Sequence, residues 1–246
     1  MKLIHKFKSL NFDKRDNKKI SYIILHYTAL PSIDESINFL SKAENKVSCH
    51  YIISQNGKIY NLVEEKNRAW HAGQSKWLSE RDLNSTSIGI ELDFSPNHNN
   101  NKFSKLQLNA LIVLTQYLKK KYNIDKKNIL AHSDIAPYRK IDPGKNFPWK
   151  KLYQLNLAYY PSTKNILKLK KIRIWFKKNK IYSNEQKILI MLNIIGYDIA
   201  KSVSSRNNYE ILIKNYRSHF FQRRYYKNSK FDLLDFIELH LCDLLL

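Results

Sequence analysis

Three histidines of this 246-residue chain lie at or beside the ends of β-rich segments, where α/β sheets commonly hold their functional groups. His26 ends the segment SYIILH and His132 ends the segment NILAH, so both would point at one place if the two strands are neighbours. Asp142 follows in the stretch SDIAPYRKIDPG, directly before a Pro-Gly turn. Two histidines and one carboxylate are a ligand set for catalytic zinc, with the fourth position left to water. The third histidine, His50, lies inside VSCHYIIS.

A zinc-dependent amide hydrolase also needs a proton carrier and a positive charge near the reacting carbonyl. Glu91 lies in the apolar segment SIGIELDF, where burial would raise its pKa toward a useful range. Lys140 precedes Asp142 by two residues and would reach the same side in an extended segment. The spacing also fits a plain alternative, because a lone strand-end histidine is commonly structural and Asp-Pro-Gly is first of all a turn.

The elements that would position these residues alternate between strands and helices, which predicts an α/β domain. Strands are predicted at residues 21–26, 47–54, 58–63, 87–94 and 128–132, with a hairpin at Asn56-Gly57. Helices are predicted at 34–43 and, from the N-cap Ser104, over about 17 residues whose leucines recur at three- and four-residue steps. Residues 66–87 and the stretch from His132 to Trp149 are predicted to be loops.

The last third of the chain has a different pattern. Helices are predicted at about 184–195, 206–221 and 229–245, joined to the first domain by the lysine-rich connector ILKLKKIRIWFKKNK. We therefore predict a catalytic domain over residues 1–158 and a small all-helical domain over 159–246. No apolar run approaches the roughly 18 residues of a membrane span.

The net charge of +22 predicts attraction to polyanions, among them nucleic acid, anionic lipid and acidic cell-wall polymers. Codon bias in an AT-rich genome explains the same excess of lysine without any such partner, and we favour that explanation. With two cysteines far apart in sequence, Cys49 and Cys242, free thiols are expected.

Five segments in this order resemble a known family: HYTA (26–29), AWHAG (69–73), TSIGIEL (86–92), AHSDIAP (131–137) and RKIDPG (139–144). Together they resemble the zinc N-acetylmuramoyl-L-alanine amidases related to peptidoglycan recognition proteins and phage T7 lysozyme. The resemblance implies a mixed central β-sheet flanked by helices. It also implies hydrolysis of the bond between N-acetylmuramic acid, or its anhydro form, and L-alanine in peptidoglycan or muropeptides.

Carried over by position, the resemblance implies one zinc ion per chain, held by His26, His132 and Asp142. Glu91 would be the catalytic base, and Lys140 would stabilise the transition state. The residues implied to bind substrate are His71, Trp70 and Tyr27.

Cys49 and Asp142 stand where the recognition-protein branch commonly has a tyrosine and a cysteine, so this chain resembles the bacterial branch that relies on the glutamate. That branch includes enzymes with a helical C-terminal module similar to peptidoglycan-binding domains. In this chain the module is rich in Lys, Tyr and Ile, so simple packing of three amphipathic helices stays an alternative to binding.

Two other functions are alternatives to this one. A non-catalytic peptidoglycan-recognition protein would lack part of the ligand set, which is present here. A nucleic-acid binder is suggested only by charge and aromatic content, and no specific nucleic-acid motif is present. The N-terminus lacks the apolar stretch of a secretory signal and a lipid-accepting cysteine, which predicts a cytoplasmic enzyme, or a periplasmic or membrane-anchored one if a leader has been removed. The sequence carries no signal for a particular oligomeric state.

Overall fold

The computed structural model describes residues 1–97, 102–161, 166–222 and 232–245. Two apolar strands, β3 (Tyr22–Tyr27) and β7 (Ser87–Leu92), pair in parallel at the centre of a six-stranded sheet. Their runs of Ile and Leu are typical of strands that are buried on both faces. The other strands of this sheet are β1 (Leu3–Ile4), β4 (Tyr51–Ile53), β5 (Ile59–Asn61) and β8 (Ile129–Ala131).

The strand order is β1-β5-β4-β7-β3-β8. Only the β4–β5 pair is antiparallel, so the sheet is mixed, as the resemblance implied. A separate antiparallel pair joins β2 (Phe12–Lys14) to β6 (Asn67–Ala69). β1, β2 and β6 were not predicted, because two or three residues give too short a pattern to recognise.

Helices flank the sheet and form the last third of the chain. They are α1 (Ile33–Ser41), α2 (Leu83–Thr86), α3 (Lys105–Tyr122), α4 (His132–Ile135), α5 (Trp149–Gln154), α6 (Ile166–Lys178), α7 (Asn184–Ile195), α8 (Arg206–His219) and α9 (Leu233–Leu245). None of the helices within the described residues has the length and apolar character needed to cross a membrane.

The predicted cap of α3 is confirmed. The Ser104 hydroxyl accepts a hydrogen bond from the Gln107 amide at 3.1 Å. Leu111, Leu114 and Leu118 are fully buried, so the predicted apolar stripe packs into the core. These contacts fix α3 against the sheet.

The prediction of a lysine-rich connector was wrong, because residues 166–178 form α6. Leu169 and Phe176 are buried, and Ile172 is partly buried on the same side, at helical spacing. Arg173 adds ion pairs of 2.7 Å to Asp235 and Glu238 of α9. The many lysines of this segment made its apolar helical pattern, which packs against α9, hard to recognise from the sequence.

The loop predictions were also wrong in part. Residues 66–87 include β6 and α2, and the stretch after β8 includes α4 and α5. His132 was expected to end a strand but is the first residue of α4. Residues 229–231 of the last predicted helix lie outside the described residues, and α9 begins at Leu233.

One apolar core extends from the sheet into the C-terminal helices. It includes Ile23 of β3, Phe147 just before α5, Trp149 of α5, Tyr216 of α8 and Phe236 of α9. The predicted boundary at residues 158 and 159 falls between α5 and α6. The core crosses this boundary, so the two parts pack on one another, and their division into two domains stays a prediction.

Candidate metal centre and its surroundings

The register of β3 and β7 brings two of the predicted site residues together. His26 on β3 lies directly opposite Glu91 on β7. Paired residues of neighbouring strands project on the same face of the sheet, so both side chains occupy that face. β8 pairs with the other edge of β3 and matches Ala131 to Leu25, which brings His132 beside His26.

His26, His132 and Asp142 form a buried group whose ligand atoms all lie within 4.8 Å of one another. The Nδ1 atoms of the two histidines are 2.8 Å apart. The Asp142 Oδ2 lies 3.0 Å from His132 Nδ1 and 3.2 Å from His26 Nδ1. The Ser133 amide donates to the Asp142 carbonyl at 3.0 Å, which ties the backbone of Asp142 to α4.

The other ring nitrogen of His132 determines its tautomer. His132 Nε2 lies 3.2 Å from the Ala72 carbonyl, which can only accept, so Nε2 carries the proton. The Arg139 guanidinium donates to the same carbonyl at 2.7 Å and holds it in place. In neutral His132 the Nδ1 lone pair therefore faces His26 Nδ1 and Asp142 Oδ2.

A chain of hydrogen bonds assigns the tautomer of His26 in the same way. The Ser87 hydroxyl donates its one hydrogen to the Leu83 carbonyl, so it accepts from His71 Nε2 at 3.1 Å. His71 Nδ1 is then the acceptor for His26 Nε2 at 3.0 Å. This leaves His26 Nδ1 as a bare acceptor.

Two imidazole lone pairs and a carboxylate oxygen thus converge with no proton assigned between them. Three electron-rich atoms at this separation repel one another unless a cation lies among them. Burial and the neighbouring His132 lower the pKa of His26 to about 4, which favours the neutral, metal-binding form. Burial alone would raise the pKa of Asp142, but the positive charge that His132 and His26 carry when protonated outweighs burial and lowers it, so a cation at this place keeps the carboxylate ionised. The donor set therefore fits a zinc ion.

Glu91 is buried next to this group, and its Oε2 has no hydrogen-bond partner in the described part of the chain. Burial first, and then the charge of Asp142, raise the pKa of Glu91 well above its usual value, while Lys140 lowers it. Lys140 is half-buried, and its charge also lowers the pKa of His26. The structure thus brings Glu91 and Lys140 to the predicted metal ligands.

The three residues implied to bind substrate are placed differently from one another. Tyr27, at the end of β3, is half-buried, and burial and the charge of Asp142 raise its pKa. His71 is buried behind His26 rather than at a surface. Trp70 is directed toward β2, where its indole donates to Asp13 Oδ2 at 2.7 Å.

His50 and Cys49 lie outside the metal group. His50 Nδ1 accepts from the Gly89 amide at 3.0 Å, and its Nε2 lies 2.8 Å from the Arg15 guanidinium. Cys49 is fully buried in an apolar cluster, and burial raises the pKa of its thiol. Both have structural surroundings, and Cys49 is a free thiol, as the sequence predicted.

Sequence reasoning missed the residues that support the ligands. Ser87 and the Ala72 carbonyl fix the two tautomers, and Gly89 leaves the space that the His71 ring occupies. SIGIEL and AWHAG contain these residues, but the contacts between the two segments are not visible in either one.

Comparisons with known proteins agree with this geometry. The family described as N-acetylmuramoyl-L-alanine amidase matches residues 16–145. The N-acetylmuramoyl-L-alanine amidase AmiD of Escherichia coli is 32% identical over 221 residues, covering 82% of this chain and 75% of AmiD. The 1,6-anhydro-N-acetylmuramyl-L-alanine amidase AmpD of Haemophilus influenzae is 37% identical over 162 residues, covering 58% of this chain and 86% of AmpD.

Two solved structures are similar over nearly the whole chain. Escherichia coli AmiD in complex with anhydro-N-acetylmuramic acid-L-Ala-D-γ-Glu-L-Lys gives a TM-score of 0.70 at 28% identity and covers 95% of this chain and 90% of that one. Pseudomonas aeruginosa AmpDh3 gives 0.71 at 27% identity and covers 97% and 96%. Both similarities include the C-terminal helices.

Proposed function

Because this chain belongs to the N-acetylmuramoyl-L-alanine amidase family, we propose that it hydrolyses the amide bond between N-acetylmuramic acid and L-alanine with one zinc ion held by His26, His132 and Asp142. It is an amidase, as its relatives AmiD and AmpD are. The observation that carries the zinc assignment is the convergence of three lone pairs within 4.8 Å.

The protein supplies two neutral imidazoles and one carboxylate, which together leave a zinc site with one net positive charge. When bound, zinc makes a water molecule acidic at neutral pH and polarises a carbonyl oxygen. The hydrogen bonds of His26 Nε2 and His132 Nε2 hold both rings with Nδ1 directed at the site.

Glu91 is proposed to carry the proton of the reaction. Its buried carboxyl has a raised pKa and an unpartnered Oε2, so it can take a proton from water and later release it. The water oxygen joins the lactyl carbonyl carbon, the carbon–nitrogen bond breaks, and Glu91 delivers its proton to the departing L-alanine nitrogen. Lys140 places a positive charge beside the oxygen on which negative charge develops.

The proposed substrate is a muropeptide, including the 1,6-anhydro form. AmiD has been solved with an anhydromuramyl peptide and AmpDh3 with an anhydromuramic pentapeptide. Tyr27 is the substrate-contacting candidate whose half-buried position beside Asp142 supports that role. The buried position of His71 supports a role in orienting His26, and the Asp13 contact of Trp70 supports a role in holding β2.

The zinc assignment is tested by metal analysis of the purified chain together with digestion of a defined muropeptide. We expect one zinc per chain and release of the stem peptide, with both lost in His26→Ala and activity restored to chelated wild-type protein by zinc. Full activity in protein shown to hold no metal would contradict the mechanism. Zinc and muropeptide binding without cleavage would instead favour the recognition-protein alternative.

A further inference from the structure

The segment from His132 to Phe147 carries two of the proposed zinc ligands and Lys140. Apart from the four-residue helix α4 and a series of turns, this segment has no regular structure of its own in the described part of the chain. Some of its backbone polar groups pair within the segment, and the others need partners elsewhere. Four of its carbonyls, those of Pro137, Lys140, Lys145 and Phe147, accept hydrogen bonds from side chains of α8 and of the residues just beyond it.

The first contact fixes α4. Asp134, two residues after His132, is fully buried, and its Oδ2 accepts from the Ala131 amide at 2.8 Å. Its two oxygens also contact the C-terminal region: Tyr197 donates its hydroxyl hydrogen to Oδ1 at 2.6 Å, and His219 Nδ1 lies 2.6 Å from Oδ2. The carboxylate therefore links the turn that presents His132 to the end of α8 and to Tyr197, two residues after α7.

The second contact fixes the stretch before Asp142. Asn215, one turn before His219 on α8, donates through Nδ2 to the Pro137 carbonyl at 2.6 Å and to the Lys140 carbonyl at 3.0 Å. Asn215 is buried, so both of these hydrogen bonds are shielded from water.

The third contact fixes the end of the segment. Gln222 donates through Nε2 to the carbonyls of Lys145 and Phe147, each at 2.9 Å. Asn215, His219 and Gln222 are spaced four and three residues apart, which is the spacing of one helix face. One side of α8 and the residues just beyond it thus follow the segment from end to end.

We propose that Tyr197 and the Asn215 face of α8 are positioning groups of the metal centre, which hold His132, Lys140 and Asp142 in place. This rests on the proposed zinc site and goes beyond it, because it gives the helical region a role other than binding peptidoglycan. Packing of apolar helix faces needs no side-chain amide or hydroxyl aimed at the ligand-bearing segment, so the polar contacts distinguish positioning from simple packing.

The test compares two matched variants in the full chain. Tyr197→Phe and Tyr216→Phe each remove one hydroxyl from a fully buried ring, but Tyr197 donates to Asp134 whereas the Tyr216 hydroxyl lies 3.0 Å from His240 Nδ1. Zinc affinity is measured by competition with a chelator, the absorption spectrum is recorded after cobalt substitution, and kcat and KM are measured at saturating zinc. Asn215→Ala is measured in the same way.

We expect zinc affinity to fall about 10-fold in Tyr197→Phe and Asn215→Ala, as for the loss of other groups that support metal ligands. The cobalt spectrum should change and kcat should fall with KM nearly constant. Tyr216→Phe should lose thermal stability and keep the wild-type affinity and spectrum. If Asn215→Ala fails to fold, Tyr197→Phe, which keeps its ring, decides the question.

Wild-type zinc affinity and spectrum in folded Tyr197→Phe would overturn the proposal, as would an equal loss in Tyr216→Phe. Failure of the underlying zinc site gives a different result, because the wild-type chain itself would then bind no zinc.

Discussion

Replacing Gly89 with alanine should weaken the metal centre although Gly89 is not a ligand. A Cβ atom at Gly89 would lie 2.6 Å from both Cδ2 and Nδ1 of His71, and nearer still to Cγ. Ordinary carbon contacts begin near 3.4 Å, so Cδ2 and Nδ1 must retreat by about 0.8 Å and Cγ by more than that. Strand β7 is paired on both sides, so its backbone cannot move away instead.

The His71 ring has little room to retreat. It is held by His26 Nε2 at 3.0 Å on one side and by Ser87 Oγ at 3.1 Å on the other, and the His50 ring lies 5.6 Å away between centroids. Overpacking of this kind costs about 1–3 kcal/mol of stability. Loss of the His26 hydrogen bond should weaken zinc binding by about 10- to 100-fold.

The assay is urea unfolding of the metal-free protein combined with a zinc competition titration. Alanine in place of a strand glycine normally adds about 0.5–1 kcal/mol of stability, so the sign of the change is informative. The control is Gly89→Ala added to His71→Ala and compared with His71→Ala alone. Without the ring, the added methyl group should cause no further loss of stability or zinc affinity. Equal or greater stability of Gly89→Ala with unchanged zinc affinity would refute the reasoning.

Other predictions concern single groups. Glu91→Gln should lower kcat by about 10²- to 10⁴-fold at unchanged zinc content, checked by steady-state kinetics and metal analysis. Lys140→Met should lower kcat by about 10²- to 10³-fold and leave zinc bound, and wild-type kcat in this variant would remove Lys140 from the reaction. Burial, and then Arg15, lower the pKa of His50 to about 3 in the folded chain from an ordinary 6.5, so the unfolded chain binds the extra proton and stability falls as pH drops between these values. His50→Gln should make this loss shallower by about 1.4 kcal/mol per pH unit in urea unfolding at pH 4–6, and parallel slopes would contradict the assignment.

The strands and helices with strong, long patterns could be predicted from the sequence. The segments SYIILH and SIGIELDF predicted the two central strands, and the leucine spacing after Ser104 predicted α3. The candidate ligands could be selected because strand ends carry functional groups, although spacing alone left them open. The resemblance of five ordered segments to the amidase family then favoured His26, His132 and Asp142 as the metal ligands.

The supporting interactions could not be predicted, because they depend on contacts between distant parts of the chain. The space that Gly89 leaves for His71 follows from a side-chain contact between two segments that are not paired strands. Asp134 meets Tyr197 across 63 residues of sequence, and neither residue belongs to a recognisable motif. The helix α6 was missed because its lysines outnumber the few apolar residues that pack on α9.

Product analysis tests the central claim most directly. The zinc-loaded chain is incubated with anhydro-N-acetylmuramyl-L-Ala-D-γ-Glu-L-Lys in water labelled with heavy oxygen, and the products are identified by mass spectrometry. We predict one labelled oxygen in the lactyl carboxylate of the released sugar and an unlabelled peptide with a free L-alanine amine. Label in the peptide, cleavage at another bond, or intact substrate would contradict the assignment of this chain's reaction.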